Sequence, residues 1–283
     1  MKLPKIATKR FRIPDLQMIR ERVSKLAREW DNMYSEDFDR RYWTTGFRPK
    51  NMPYKKLGIS KNDHLVFICG GIGEFAKKAM EDGHYVEYTD ASQVAVDLFK
   101  KSLVRSKLSG PVRKQIAEDL SAKTGRSPLI IGIEPYPLTY DPESSLLMIL
   151  RMLAHGRGGL IIERHWAKKL RESKFDRYLE KLSRIYGFKI EEGTIKLKDN
   201  EGIMSQMFRY IKLVPSEEAR VKAFHDLQMI NSMADRNSLT EEELKKITSL
   251  QDVREVLERI DKALSEGEKL YERLKLTKYL EVK

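Results

Sequence analysis

Leu65-Val-Phe-Ile-Cys-Gly-Gly-Ile-Gly-Glu-Phe-Ala76, running on to Asp82-Gly-His-Tyr-Val-Glu-Tyr-Thr-Asp90, is the stretch that decides the fold. Leu65 to Cys69 is an apolar run without polar alternation, the pattern of a strand buried on both faces. Gly70, Gly71 and Gly73 make a turn, and a helix is expected from Glu74 to about Asp82. Tyr85 to Thr89 reads as a second strand that ends at a carboxylate, Asp90. Glycines let backbone approach a ligand, and a helix N-terminus offers free N–H groups and the positive end of a dipole. A carboxylate at the tip of the second strand can accept from both hydroxyls of a ribose. Together these parts describe a site for an adenosine-type ligand at the C-terminal ends of parallel strands.

Working outward, Ser92 to about Lys107 reads as a helix and Pro128–Ile133 as another buried strand. A helix from about Glu143 to Ala154, the turn His155-Gly-Arg-Gly158 and a strand Gly159–Glu163 follow. A long basic helix is expected from His165 to Tyr186. Phe188–Leu197 and Ser205–Val214 then form two strands joined through Asp199-Asn-Glu-Gly202, an antiparallel hairpin. Repeated strand–helix units closed by a hairpin predict an α/β, Rossmann-like, mostly parallel sheet covered by helices.

Both ends of the chain read as helical additions to this unit at 59–214. In 1–58, Leu16, Ile19, Val23, Leu26 and Trp30 form one apolar stripe, and a loop rich in Arg, Tyr and Trp follows at Arg40–Pro49. In 215–283, Ser216-Glu-Glu and the capping box Thr240-Glu-Glu-Glu open helices. Leu250, Val253, Leu257, Ile260 and Leu264 then begin a heptad seam interrupted at Gly267. That seam suits either a homodimeric coiled coil or an antiparallel pairing within the chain.

Charge narrows the choice of partners. Lys and Arg number 54 against 42 Asp and Glu, a net +12, and the excess is uneven: +8 over 1–60, +6 over 100–126 and +7 over 145–214. Such a field attracts polyanions, and Arg40, Arg41 and Arg48 beside aromatics are candidates to meet RNA or DNA. A charge-rich solvated surface explains the same numbers. No apolar run reaches the ~18 residues of a membrane span, and no secretory signal is visible at the start, so a cytoplasmic location is expected. One cysteine, Cys69, excludes an internal disulfide framework, and the five histidines show no metal-ligand spacing. Six Gln and six Asn against heavy Lys, Arg and Glu usage suggest heat adaptation.

Gly71-Ile-Gly-Glu-Phe-Ala76 matches the dinucleotide fingerprint G-x-G-x-x-A. Yet the whole order of elements over residues 60–214 resembles the class I S-adenosylmethionine-dependent methyltransferases. The resemblance rests on the glycine loop, Asp90, the acidic Glu118-Asp119-Leu120, the motif Glu134-Pro-Tyr-Pro137 and the terminal hairpin. It implies S-adenosylmethionine as cofactor, with Gly70, Gly71 and Gly73 around its methionine part, Asp90 on the ribose and Asp119 near the adenine. It also implies that Glu134 accepts from a target amine while Tyr136 stacks on its base. A proline-stiffened strand exit accounts equally for that last motif. The chain departs from the family at Phe67, where an acid is usual, and at Cys69, where the first glycine is usual. Three functions follow as expectations: methyl transfer to RNA or DNA, methyl transfer to a small molecule or protein, and a non-catalytic nucleic-acid-binding or assembly role.

Overall fold

The computed structural model describes residues 16–35, 47–117, 128–135, 142–164 and 175–234, with a few isolated positions beyond. The elements in chain order are α1 (Leu16–Ser35), α2 (Tyr54–Leu57), β1 (His64–Ile68), α3 (Glu74–Glu81), β2 (Tyr85–Asp90), α4 (Gln93–Arg105) and β3 (Val112–Lys114). They continue with β4 (Leu129–Ile133), α5 (Pro142–His155), β5 (Gly158–Arg164), α6 (Phe175–Tyr186), β6 (Lys189–Lys198), β7 (Ser205–Val214) and α7 (Glu217–Ala234).

The strands form one sheet in the order β3-β2-β1-β4-β5-β7-β6. Pairing is parallel from β3 through to β5, and β7 runs antiparallel to both of its neighbours. This is the Rossmann-like sheet with a terminal hairpin expected from the sequence. The strand order reverses between β1 and β4, so a crevice is expected at their C-terminal ends.

The two-residue period of a strand sorts the apolar run of β1 between two cores. Val66 and Ile68 face a core shared with Ile130, Ile161 and Ile211, covered by α1, α5, α6 and α7. Leu65 and Phe67 face the other, shared with Ile131, Leu160 and Ile162, where Phe75 of α3 and Phe99 of α4 pack. At ~1.5–3 kcal/mol for each large apolar side chain removed from water, these two layers dominate the stability.

Residues on either side of 58 and 214 share the two cores. Leu16 and Ile19 are buried in the first core, and Phe47, Met52 and Leu57 in the second. Ala219, Ala223, Phe224 and Leu227 of α7 join the first. The described residues of the additions therefore help to complete the sheet's two faces. The reason is geometric: helices after β1 and β2 cover one face, and α1 and α7 supply apolar surface that the other still requires. The later helices, with the heptad seam and the homodimer it suggested, lie outside the described residues, as does 165–174 of the expected long helix.

β3 was not expected. Val-Arg-Lys carries no apolar run, and it pairs at the sheet's edge because Tyr88, Thr89 and Asp90 present an open backbone ladder to it.

Candidate functional site

β1 leads into the glycine loop through Cys69, which takes a left-handed conformation at φ 51°. Gly73, at φ +82°, is the N-terminal cap of α3, so the loop turns directly into the helix. A methyl group on Gly73 would stand 2.0 Å from the Phe99 ring, and one on Gly70 would stand 2.4 Å from the ring of Tyr88. Glycine is thus required at 70 and 73 by the chain's own aromatic rings, which lie 4.2 Å apart centre to centre. Tyr88 also donates its hydroxyl hydrogen to the Gly71 carbonyl.

Asp90 lies at the tip of β2, as expected. Its Oδ2 accepts from the Gly71 amide at 2.8 Å and its Oδ1 from the Ser92 amide at 2.9 Å. The carboxylate therefore ties the glycine loop to the start of α4. It is 9% exposed, and burial pushes its carboxyl up to about 6, with the amide bonds opposing and Asp31 adding to the rise. A carboxylate has roughly four lone-pair directions, and the amides of Gly71, Ser92 and Ala91 are directed at three of them. What remains of its accepting capacity is available to a ligand donor at the tip of β2.

Asp31 of α1 is a residue that sequence reasoning missed. Its Oδ1 accepts from the Ser92 hydroxyl at 2.5 Å and the Val94 amide at 3.0 Å. Ser92 in turn caps α4 by accepting from the Ala95 amide at 3.0 Å. Around this link Tyr34, Trp30 and Met33 of α1 pack on Ile72 of the glycine loop and on Val94, Ala95 and Leu98 of α4. α1 is consequently fastened across the loop–α4 junction. The available signal was Tyr34 and Asp31 continuing the helix beyond Trp30, which a stripe ending at Trp30 leaves out.

Phe67 is 1% exposed and belongs to the second core. The position of the family's acid is therefore filled by packing, and nothing polar at 67 faces the loop.

The tips of β4 and β5 form the other half of the edge. Glu134 directly follows β4 at φ 42°, a left-handed conformation uncommon for a residue with a side chain. Its Oε1 accepts from the Arg164 amide at 2.9 Å, and its own amide donates to the Ile162 carbonyl at 2.8 Å. Two non-glycine residues, Cys69 and Glu134, thus hold strained backbone at adjacent strand tips, of order 1–3 kcal/mol each. Pro135 is buried and folds back toward Gly132, where an added methyl would meet its ring at 3.0 Å. Arg164, also missed from sequence, ends β5, and its Nε and Nη2 are shut from solvent without a hydrogen-bond partner. Burial pulls its guanidinium below the ordinary arginine range while Glu134 opposes the shift.

Of the expected site residues, the structure brings Gly70, Gly71, Gly73 and Asp90 together and sets Glu134 two strands from Asp90. Asp119 and Tyr136 lie outside the described residues, as do Arg40 and Arg41. Arg48 is described and is engaged: its Nη2 pairs with Glu81 at 2.6 Å and its Nε lies 3.8 Å from Glu74. Among the described residues no group of three or more His, Cys, Asp and Glu is arranged for a metal ion. No helix among them is long and apolar enough to cross a membrane.

No family model matches this chain, and no curated protein matches it. Solved structures do resemble it. Magnesium protoporphyrin IX methyltransferase from Synechocystis PCC 6803 with bound SAH aligns with 69% of this chain and 100% of its own, at 16% identity and a TM-score of 0.46. A SAM-dependent methyltransferase from Methanosarcina mazei aligns with 59% of this chain and 100% of its own, at 14% identity and a TM-score of 0.43. The Pyrococcus abyssi tRNA (uracil-54, C5)-methyltransferase, in complex with S-adenosyl-L-homocysteine, aligns with 56% of this chain and 36% of its own. Its identity is 12% and its TM-score 0.40. Likenesses this distant concern the fold and say nothing of a substrate.

Proposed function

We propose that the chain is an S-adenosylmethionine-dependent methyltransferase acting on RNA or DNA. The observation that carries the proposal is the Asp90 carboxylate, bonded to the Gly71 amide at the tip of β2, beside the point where the strand order reverses. Bound there, S-adenosylmethionine would supply an electrophilic methyl group on a sulfonium. Asp90 would accept from the ribose through the accepting capacity its amide bonds leave, and the backbone of Gly70–Gly73 would border the rest of the cofactor. Glu134, held by its bond to the Arg164 amide, would accept from an N–H of the target and orient its lone pair. Holding donor and acceptor at reacting distance contributes much of the rate in such a displacement.

A nucleic-acid substrate is supported by the basic excess in three stretches of the chain. The pairing of Arg48 with Glu81 and Glu74 shifts that support toward Arg40, Arg41 and the later basic stretches. A second reading is favoured by Phe67 and by the packing of Tyr88 and Phe99 under the loop. On that reading the chain keeps the sheet and binds nucleic acid without catalysis.

Calorimetric titration with S-adenosylhomocysteine and with adenosine separates the two. The methyltransferase reading expects both to bind, with affinities more alike than in a relative that keeps the acid. Failure of both to bind at millimolar concentration would leave the non-catalytic reading. Methyl transfer from labelled cofactor to bulk RNA or DNA tests the substrate class.

A further inference from the structure

Two arginines on neighbouring strands are treated in opposite ways. Arg209 of β7 is 6% exposed and ringed by carboxylates: Glu163 at 3.3 Å, Asp176 at 3.0 Å, and Glu192. Those bonds raise its pKa despite burial. Arg164 lies opposite Phe208, one position along the same strand pair. Arg164 is only half-buried, yet its Nε and Nη2 are shut from water and find no acceptor. Glu134 is at hand, yet its Oε1 is spent on the Arg164 amide and no ion pair joins the two side chains. Guanidinium nitrogens shut from water without an acceptor are costly. The fold can pair one, as Arg209 demonstrates, so the unpaired one at the C-terminal edge requires a reason.

Position supplies the reason. Arg164 ends β5, two strands from β1 and so about 10 Å from the glycine loop. It therefore stands with Glu134 on the side of the edge away from Asp90. A guanidinium presents a planar fork matched to an oxyanion, and Glu134 beside it suits an N–H donor. We propose that Arg164 is the receptor for a phosphate of the nucleic acid, placed beside the target base that Glu134 orients. This rests on the methyltransferase reading for its choice of substrate.

The test is thermal unfolding of the whole chain, and of Arg164→Met, in inorganic phosphate and in chloride at matched ionic strength. Removing a half-buried charge with two unsatisfied nitrogens should raise the melting temperature in chloride by ~2–4 °C. Phosphate should stabilise the wild type and leave Arg164→Met unmoved. Short single-stranded RNA should bind Arg164→Met about tenfold more weakly, as loss of ~1.4 kcal/mol predicts. Arg164→Lys, which keeps the charge without the fork, should fall between and guards against a folding defect in the first variant. A lower melting temperature in both variants, with RNA affinity unchanged, would make Arg164 structural and overturn the proposal. Loss of S-adenosylhomocysteine binding with RNA binding intact would assign the oxyanion to the cofactor's carboxylate and also overturn it. If wild type binds no S-adenosylhomocysteine while the phosphate and RNA differences stand, the anion site survives and the methyltransferase reading falls.

Discussion

The two halves of the sheet's C-terminal edge differ in how their polar groups are satisfied. On the β2–β1 side, Asp90, Ser92, Asp31, Tyr88 and the loop amides bond to one another. On the β4–β5 side, Glu134 sits in strained backbone and Arg164 leaves two nitrogens unpaired. The first half is held rigid by its own contacts, and a ligand there has to use the lone pairs left over. The second stores its unmet demand for partners. The difference teaches that the geometry at β2 and β1 is a property of the fold; on the proposed function, the geometry at β4 and β5 would be completed by the methyl acceptor.

The strongest way to break the first half is Gly73→Ala. A left-handed backbone with a side chain costs ~1–2 kcal/mol and overpacking costs ~1–3 kcal/mol more. With Phe99 2.0 Å from the added carbon, the loss should reach about 3 kcal/mol, read by urea denaturation. A loss below about 1 kcal/mol would mean that the loop is looser than its packing implies.

Asp90→Ala comes next. It removes charge-assisted bonds worth ~1.5–3 kcal/mol each to the ligand, so adenosine affinity should drop about tenfold or more. Wild type should also bind adenosine less well as pH falls through about 6, the level to which burial raises this carboxyl. Stability should run the other way. Folding raises the pKa from 3.8, so the native state holds the extra proton between about 4 and 6, and stability from this group is lost as pH rises through that window. An adenosine profile in Asp90→Ala with the same inflection near 6 would remove Asp90 from the site.

Asp31→Ala tests the fastening of α1. Loss of a helix cap costs about 1 kcal/mol, and Asp31→Asn should recover most of it because an amide oxygen still accepts. No change in either variant's unfolding midpoint would show that the apolar packing of Tyr34 and Ile72 suffices.

The smallest effect is expected at Arg48. Neutralising Arg40 and Arg41 should flatten the salt dependence of RNA binding by ~0.7 in the log–log slope for each phosphate no longer neutralised. Arg48→Ala should change it little, because its guanidinium is paired with Glu81. Equal slopes for all three variants would mean that Arg48 exchanges its carboxylate for phosphate.

Much of this was legible in one dimension. The apolar runs at 65–69, 129–133 and 159–163 announced buried parallel strands because period and composition are local properties. The glycine loop and Asp90 were legible for the same reason: turn, helix start and strand end follow one another in the chain. Three things required the folded molecule. β3 has no apolar signal and exists because β2 offers it a ladder. Asp31 became part of the site because α1 crosses α4, 61 residues away in sequence from Ser92. Arg164 and Arg209 look alike as strand-borne cations, and only their neighbours across β5, β6, β7 and α6 make one paired and the other not. Periodicity and turn chemistry act between residues close in the chain, whereas charge satisfaction depends on which distant groups the sheet brings within ~4 Å.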